Sequence, residues 1–174
     1  MGWKMAMTIV RGATVEDLAK AGYAPNGQTT SGDEAAVDGF DPSLCVTAVG
    51  EDLVIVGQSN GESFGPAIAE ALGVEVVTTL FMSTVDYYEW TVNGPDVHRS
   101  WVCGEGEVVI DEGTPLPEEE RVMLLDEDSL FELVRSRTGI DTDDWIDATM
   151  HYLDATPVRA TRPAGKRRGW FRRK

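Results

Sequence analysis

The stretch DYYEWTVNGPDVHRSWVC, residues 86–103, decides how the rest of the chain is read. Tyr88, Trp90 and Val92 recur at every second residue, the period of a strand with one apolar face. Asn93-Gly94 follows, a dipeptide that enters the positive-φ conformations of hairpin turns at little steric cost. Val97, Arg99, Trp101 and Cys103 then alternate again. A two-residue loop and a four-residue loop both return the two sets to one face. The spacing therefore predicts a hairpin whose aromatic cross-strand pairs face an interior.

Toward the N-terminus the same periods continue. WKMAMTIV (3–10) places Trp3, Met5, Met7 and Ile9 on one face of a strand. GATVEDLAKAG (12–22) predicts a helix, with Thr14 as N-cap, Glu16 and Asp17 in the first turn where the dipole favours acids, and Gly22 as the stop. YAPNGQTTSGDEAAVDGFDP (23–42) has no clear period and is rich in Gly, Asp, Pro and Thr, so it reads as a long mobile loop. LCVTAVGEDLVIVG (44–57) reads as two strands around a turn at Gly50-Glu51-Asp52. SFGPAIAEALG (63–73) predicts a short helix ending at Gly73, and VEVVTTLFM (74–82) a β-branched strand.

Toward the C-terminus, GEVVID (106–111) adds a strand, EGTPLPEEE (112–120) a Pro-broken loop and RVMLLD (121–126) a strand. DEDSLFELVRSRTG (126–139) is acidic at its start and basic at its end, a helix that stops at Gly139. An acidic turn and a last strand near Ala148 to Leu153 follow. Strands joined by short turns pair antiparallel. The expected fold is α+β: a mostly antiparallel sheet with short helices on one face, plus a basic C-terminal tail. Tyr88, Trp90, Trp101, Ile9 and Val54 are expected in its core.

Charge divides the chain in two. The 174 residues carry a net charge of −15. Residues 1–156 form an acidic domain with a net charge of −23, and residues 157–174 a flexible tail of +8 that contains no acid. No run of 18 apolar residues occurs, so no membrane-spanning helix is expected. MGWKMAMTIV is too short and mixed for a signal peptide, and Ala6 stands where myristoylation wants Ser or Thr. These features point to a cytoplasmic protein, membrane-peripheral if the tail meets lipid. In a reducing compartment Cys45 and Cys103 are expected as two buried thiols, with a disulfide left open as the alternative.

MGWKMAM, YYEWTVNG followed by VHRSW, EGTPLPEEE and FELVRSRTGI together resemble small uncharacterised domain-of-unknown-function proteins of actinobacteria. The likeness spans most of residues 1–154 and implies no particular activity. The segment 23–42 and the basic tail fall outside the pattern.

Tests for chemistry return little. His98 and His151 are the only histidines, no metal-ligand spacing occurs, and neither a metal nor a cofactor is expected. Cys103 and His151 could form a nucleophile–base pair only if the fold brought them together. GQSNGESFGP (57–66) lies where a strand meets a helix but matches no phosphate-binding pattern, and Glu62 lies inside it. Asp143/Asp144 and Asp126/Asp128 are close carboxylate pairs, and Trp90 and Trp101 could stack on a sugar, but the alternation of the two tryptophans fits a core better. No catalytic residue is assigned.

The tail is what asks for a partner. Arg159, Arg162, Lys166, Arg167, Arg168, Arg172, Arg173 and Lys174 surround Trp170 and Phe171. This composition suits an acidic protein surface, the chain's own body included, or an anionic membrane into which the aromatics dip. Nucleic acid fits less well, because an acidic body opposes it. The expected function is a non-enzymatic interaction or adaptor protein docking through this tail. The alternatives are a regulatory or defence-type inhibitor with an acidic, nucleic-acid-mimicking surface, and a small hydrolase-like enzyme.

Overall fold

The structure is a computed structural model that describes residues 3–37, 43–57 and 64–155. The basic tail and most of the GQSNGESFGP segment lie outside these residues. Nine strands form one sheet in the order β2-β9-β3-β4-β1-β5-β6-β7-β8, with every neighbouring pair antiparallel. They are β1 (Lys4–Val10), β2 (Tyr23–Ser31), β3 (Leu44–Val49), β4 (Asp52–Gly57), β5 (Val76–Met82), β6 (Tyr87–Asn93), β7 (His98–Gly104), β8 (Glu107–Gly113) and β9 (Thr149–Ala155). Three α-helices accompany them: α1 (Gly32–Val37), α2 (Gly65–Leu72) and α3 (Glu127–Thr138), together with 3-10 helices that include Val15–Ala21 and Pro117–Arg121. The expected α+β class with an antiparallel sheet holds.

The 86–103 hairpin forms as its alternation demands. Asn93 pairs with His98 across a four-residue loop, and Tyr88, Trp90 and Val92 face Cys103, Trp101 and Arg99. Tyr88, Trp90, Trp101, Ile9 and Val54 are all buried.

Three expectations are corrected. The first concerns the helices, which cover both faces of the sheet instead of one. Met5, Met7 and Ile9 of β1 pack with Ala36 of α1, with Leu130, Leu133 and Val134 of α3, and with Trp145. Val10 on the opposite face packs with Leu18 and with Ile68 and Ala69 of α2. The central strands are consequently apolar on both sides, as in DLVIVG and VVTTLFM, which leaves no polar face to alternate against.

The second correction concerns residues 23–37, read as loop but forming β2 and α1. β2 is an edge strand largely exposed on both faces, so it has no core-facing side to produce a period. Pro25 is tolerated on such an edge. Between Pro25 and Thr29 the register shifts around Gly27, which has a positive φ, and Gln28 N–H donates to Asn26 Oδ1 at 2.9 Å. α1 is held by Gly32, whose N–H donates to the Ala148 carbonyl; any side chain there would run into the Trp145 and Ile146 carbonyls. The third correction is that RVMLLD is not a strand. Glu119 N–H donates to the Leu116 carbonyl and Val122 N–H to that of Glu119, and Leu125 N–H donates to Cys103 Sγ at 3.4 Å. The apolar run between these anchors buries Leu125 and leaves Met123 almost fully exposed.

Candidate functional site

Arg99 lies on the inward face of the hairpin and is only 2% exposed. A buried guanidinium must find its counter-charge. Glu119 supplies it from the Pro-rich segment: Arg99 Nε donates to both Glu119 oxygens at 3.0 and 2.9 Å, and Nη2 lies 2.8 Å from Oε2. Nη1 meets Asp111 Oδ1 at 2.5 Å and donates to the Glu112 carbonyl at 3.0 Å. Trp90 Nε1 donates to Glu119 Oε1 at 3.0 Å. Burial pulls the Arg99 pKa down, but Glu119 and Asp111 more than reverse this and hold the cation. With its nitrogens already engaged, Arg99 is a clasp joining β7, β8 and the 117–121 turn, and offers little to an anionic ligand. A buried Arg in an apolar alternation was the sequence signal for such a carboxylate, but nothing local marked Glu119 among its acidic neighbours.

A second cluster is structural in the same way. Arg137 Nε and Nη2 reach the two Glu75 oxygens at 3.0 and 2.6 Å, and Nη1 lies 3.3 Å from Glu118. Hydrogen bonding to Glu75 raises the Arg137 pKa against burial.

The residues weighed for catalysis do not assemble. His98 on β7 and His151 on β9 are exposed and six strands apart, roughly 29 Å at the usual spacing. Cys103 and Cys45 are buried thiols that are not joined in a disulfide, and burial pushes the Cys103 thiol up. Trp90 and Trp101 lie in the core. Asp126 and Asp144 are occupied as helix caps, accepting from the N–H groups of Ser129 and Asp141. Among the described residues no group of His, Cys, Asp and Glu is arranged to hold a metal ion.

What remains is a groove at the β8 edge. The β5–β6 and β7–β8 turns sit side by side, joined by a hydrogen bond from Glu105 N–H to the Asp86 carbonyl at 2.9 Å. Both residues adopt left-handed backbone, with φ of 52° and 50°, a conformation non-glycine residues usually avoid. Beside them opens a groove of about 840 Å³ lined by Met82, Val85, Tyr87, Glu107, Val108 and Val109, among others. Tyr87 OH donates to Glu89 at 2.7 Å; burial and this carboxylate raise the phenol to about 12, so it remains a protonated donor at neutral pH.

β8 itself is exposed along its whole length. Val109 is the extra residue of a bulge, because Val102 pairs with Ile110 while Cys103 pairs with Val108. Among the described residues, six of the seven large exposed apolar side chains lie on or near this edge: Val85, Val108, Val109, Ile110, Met123 and Leu124. The second apolar core takes in no described residue of β6, β7 or β8. Asp86, Glu105, Glu107, Asp111 and Glu112 give the edge an acidic rim. Family models, curated proteins and solved structures return no match to this chain, so the geometry alone carries the reading.

Proposed function

We propose that the protein is a non-enzymatic interaction module whose groove along β8 docks a partner segment and whose basic tail engages an anionic surface. One observation carries this reading: β8, which has no strand beyond it among the described residues, displays Val108, Val109 and Ile110 beside a groove with apolar walls. Such an edge is a template for another chain, and soluble proteins ordinarily blunt it. The acidic rim selects a segment that combines apolar and basic side chains. The tail lies outside the described residues and enters through its composition alone. Eight cations, at about 1 kcal/mol each near an anionic bilayer, suffice for reversible docking on lipid or on an acidic protein. The exposed Val109 makes a clean test. Val109→Asp should lose the partners captured through the groove while keeping the fold. Charge reversal at Arg167, Arg168, Arg172 and Arg173 should instead abolish co-sedimentation with anionic vesicles across a salt series. If both variants retain every interaction of the parent chain, the reading fails.

The acidic body favours a second reading. The described residues hold seven Lys and Arg against 27 Asp and Glu, a net charge of −20. Arg11, Lys20, Arg99, Arg135 and Arg137 are engaged in ion pairs. A surface so acidic could mimic nucleic acid and block a nucleic-acid-binding protein. Competition with duplex DNA for such a protein would support it; failure to compete at low salt would remove it.

A further inference from the structure

We propose that the groove beside β8 is occupied by the chain's own segment 164–174, AGKRRGWFRRK, so that groove and tail cover one another until a partner separates them. The inference rests on the reading of the groove as a docking face. Where the described chain ends supports it. Leu153 of β9 lies on a continuous rung of paired residues: Leu44, Gly57, Ala6, Leu80, Glu89, Val102 and Ile110. Two residues on, Ala155 stands on the same face, level with Lys4, Met82, Tyr87 and Gly104. The described chain thus ends at the level of the strand ladder at which the groove opens. Seven strand spacings separate β9 from β8, roughly 34 Å. The 11 residues from Ala155 to Lys166 span up to about 36 Å when extended, which brings Lys166 to the groove and leaves Trp170 and Phe171 within it.

The chemistry of the two surfaces is complementary. The segment 164–174 has six cations and no acid around two adjacent aromatics. The groove has apolar walls from Met82, Val85, Val108 and Val109, and Glu105 and Glu107 among its lining, with Asp86 beside Glu105 at the adjoining turn. Lys4 is the one described cation on the rung, and it lies three strands from Gly104. A second copy suits this edge poorly. An antiparallel β8–β8 pair centred on Val109 would place Glu107 opposite Asp111, a like-charge pair that destabilises a ladder.

Zero-length carbodiimide cross-linking of the full chain tests the proposal, because it joins Lys to Asp or Glu only where they touch. In the monomer, Lys166 and Lys174 should link to Glu105 and Glu107 about tenfold more than to Asp33 and Glu34 at the other edge. The Lys20–Asp17 pair, at 2.7 Å, is the internal control. Replacing Trp170 and Phe171 together by Ser keeps every charge and should scatter the tail's links over the acidic surface. Scattered links in the parent chain would overturn the proposal. So would links found only between two copies, which would make the tail a bridge from chain to chain. If the links scatter while Val109→Asp still loses its partners, the groove serves a foreign segment and only this inference falls. If the links converge while Val109→Asp loses nothing, the groove is solely the tail's cradle and the docking function falls.

Discussion

The two edges of the sheet solve the same problem in opposite ways. β2 is blunted by Pro25, by the irregularity around Gly27 and by a nearly all-polar sequence, and Asn26 ties its bulge to Asp154 of β9 at 3.1 Å. A chain approaching β2 meets a missing donor and a broken register. β8 also carries a bulge, and acids that β2 lacks, yet it turns Val108, Val109 and Ile110 outward. It is fastened from beneath through Arg99, which holds the Asp111 side chain and the Glu112 carbonyl. One edge presents a missing donor and a broken register, and the other a fastened strand with apolar side chains turned outward. Charge and exposed apolar surface both distinguish them: β2 carries no charged residue, while β8 joins three acids to three outward apolar side chains.

The comparison breaks most readily at the clasp. Glu119→Ala leaves Arg99 buried with Asp111 alone and removes the Trp90 acceptor. The expected loss is about 3 kcal/mol, near the lower end for breaking a buried pair, read as a lower urea midpoint. Adding Arg99→Met should recover part of it. A loss below about 1 kcal/mol would mean that the 117–121 turn is not held to β7 through this pair.

Next come two glycines, one for each edge. Gly32→Ala drives a methyl into the Trp145 and Ile146 carbonyls, and Gly113→Ala drives one into the His98 carbonyl from a φ of 86°. Each should cost roughly 2 kcal/mol. Gly113→Ala should raise amide exchange in β8 and leave β2 protected, and Gly32→Ala the reverse; the same exchange pattern from both would deny that the edges are anchored separately.

A smaller effect of opposite sign is expected at the strained turn. Glu105→Asn keeps the left-handed backbone with a residue that tolerates it, and should stabilise by about 0.5–1 kcal/mol. A lower thermal midpoint would mean that the Glu105 side chain contributes more than its backbone costs.

The smallest effect lies in the 3-10 helix that leads into β2. Asp17 accepts from Lys20 at 2.7 Å and from Thr14 N–H and Oγ1–H at 3.0 and 2.9 Å, and these bonds lower its pKa from 3.8 to about 2. A depressed carboxylate pKa adds stability above the unfolded value that is lost as pH falls through the folded one. The difference in stability between the parent chain and Asp17→Asn should therefore shrink between about pH 4 and pH 2. A constant difference would show that the three bonds do not favour the charged form.

The same contrast explains what could be read from the sequence. The hairpin at 86–103 was legible because one of its faces meets a dense core, and burial imposes a period of two. α3 was legible from its charge gradient and Gly139. β2 was not, because a strand solvated on both faces has no period to display. The second helical layer was hidden because Met5, Met7 and Ile9 advertised one face, while Ala6, Thr8 and Val10, buried just as deeply, include a polar and a small residue. The groove could not be foreseen: the β6–β7 ladder sets the turns that carry Val85, Tyr87 and Val109 side by side, but no local period marks these residues as neighbours. The tail's charge was plain from the start, but a target for it needed the position of Ala155.

The place of β9 bears on the order of events during synthesis. β9 is the last made of the described strands, yet it lies between β2 and β3, and β2 has no other neighbour among them. The ladder from β3 through β8 can close while β9 is still inside the ribosome. β2, made more than a hundred residues earlier, must wait for it. Contacts this distant in sequence carry a large loop-closure cost and form late. A nascent chain halted before Thr149 should therefore hold a protease-resistant β3–β8 ladder with residues 23–31 open to cleavage. The edge that is closed to strangers in the finished protein is the one left unguarded longest while the protein is being made.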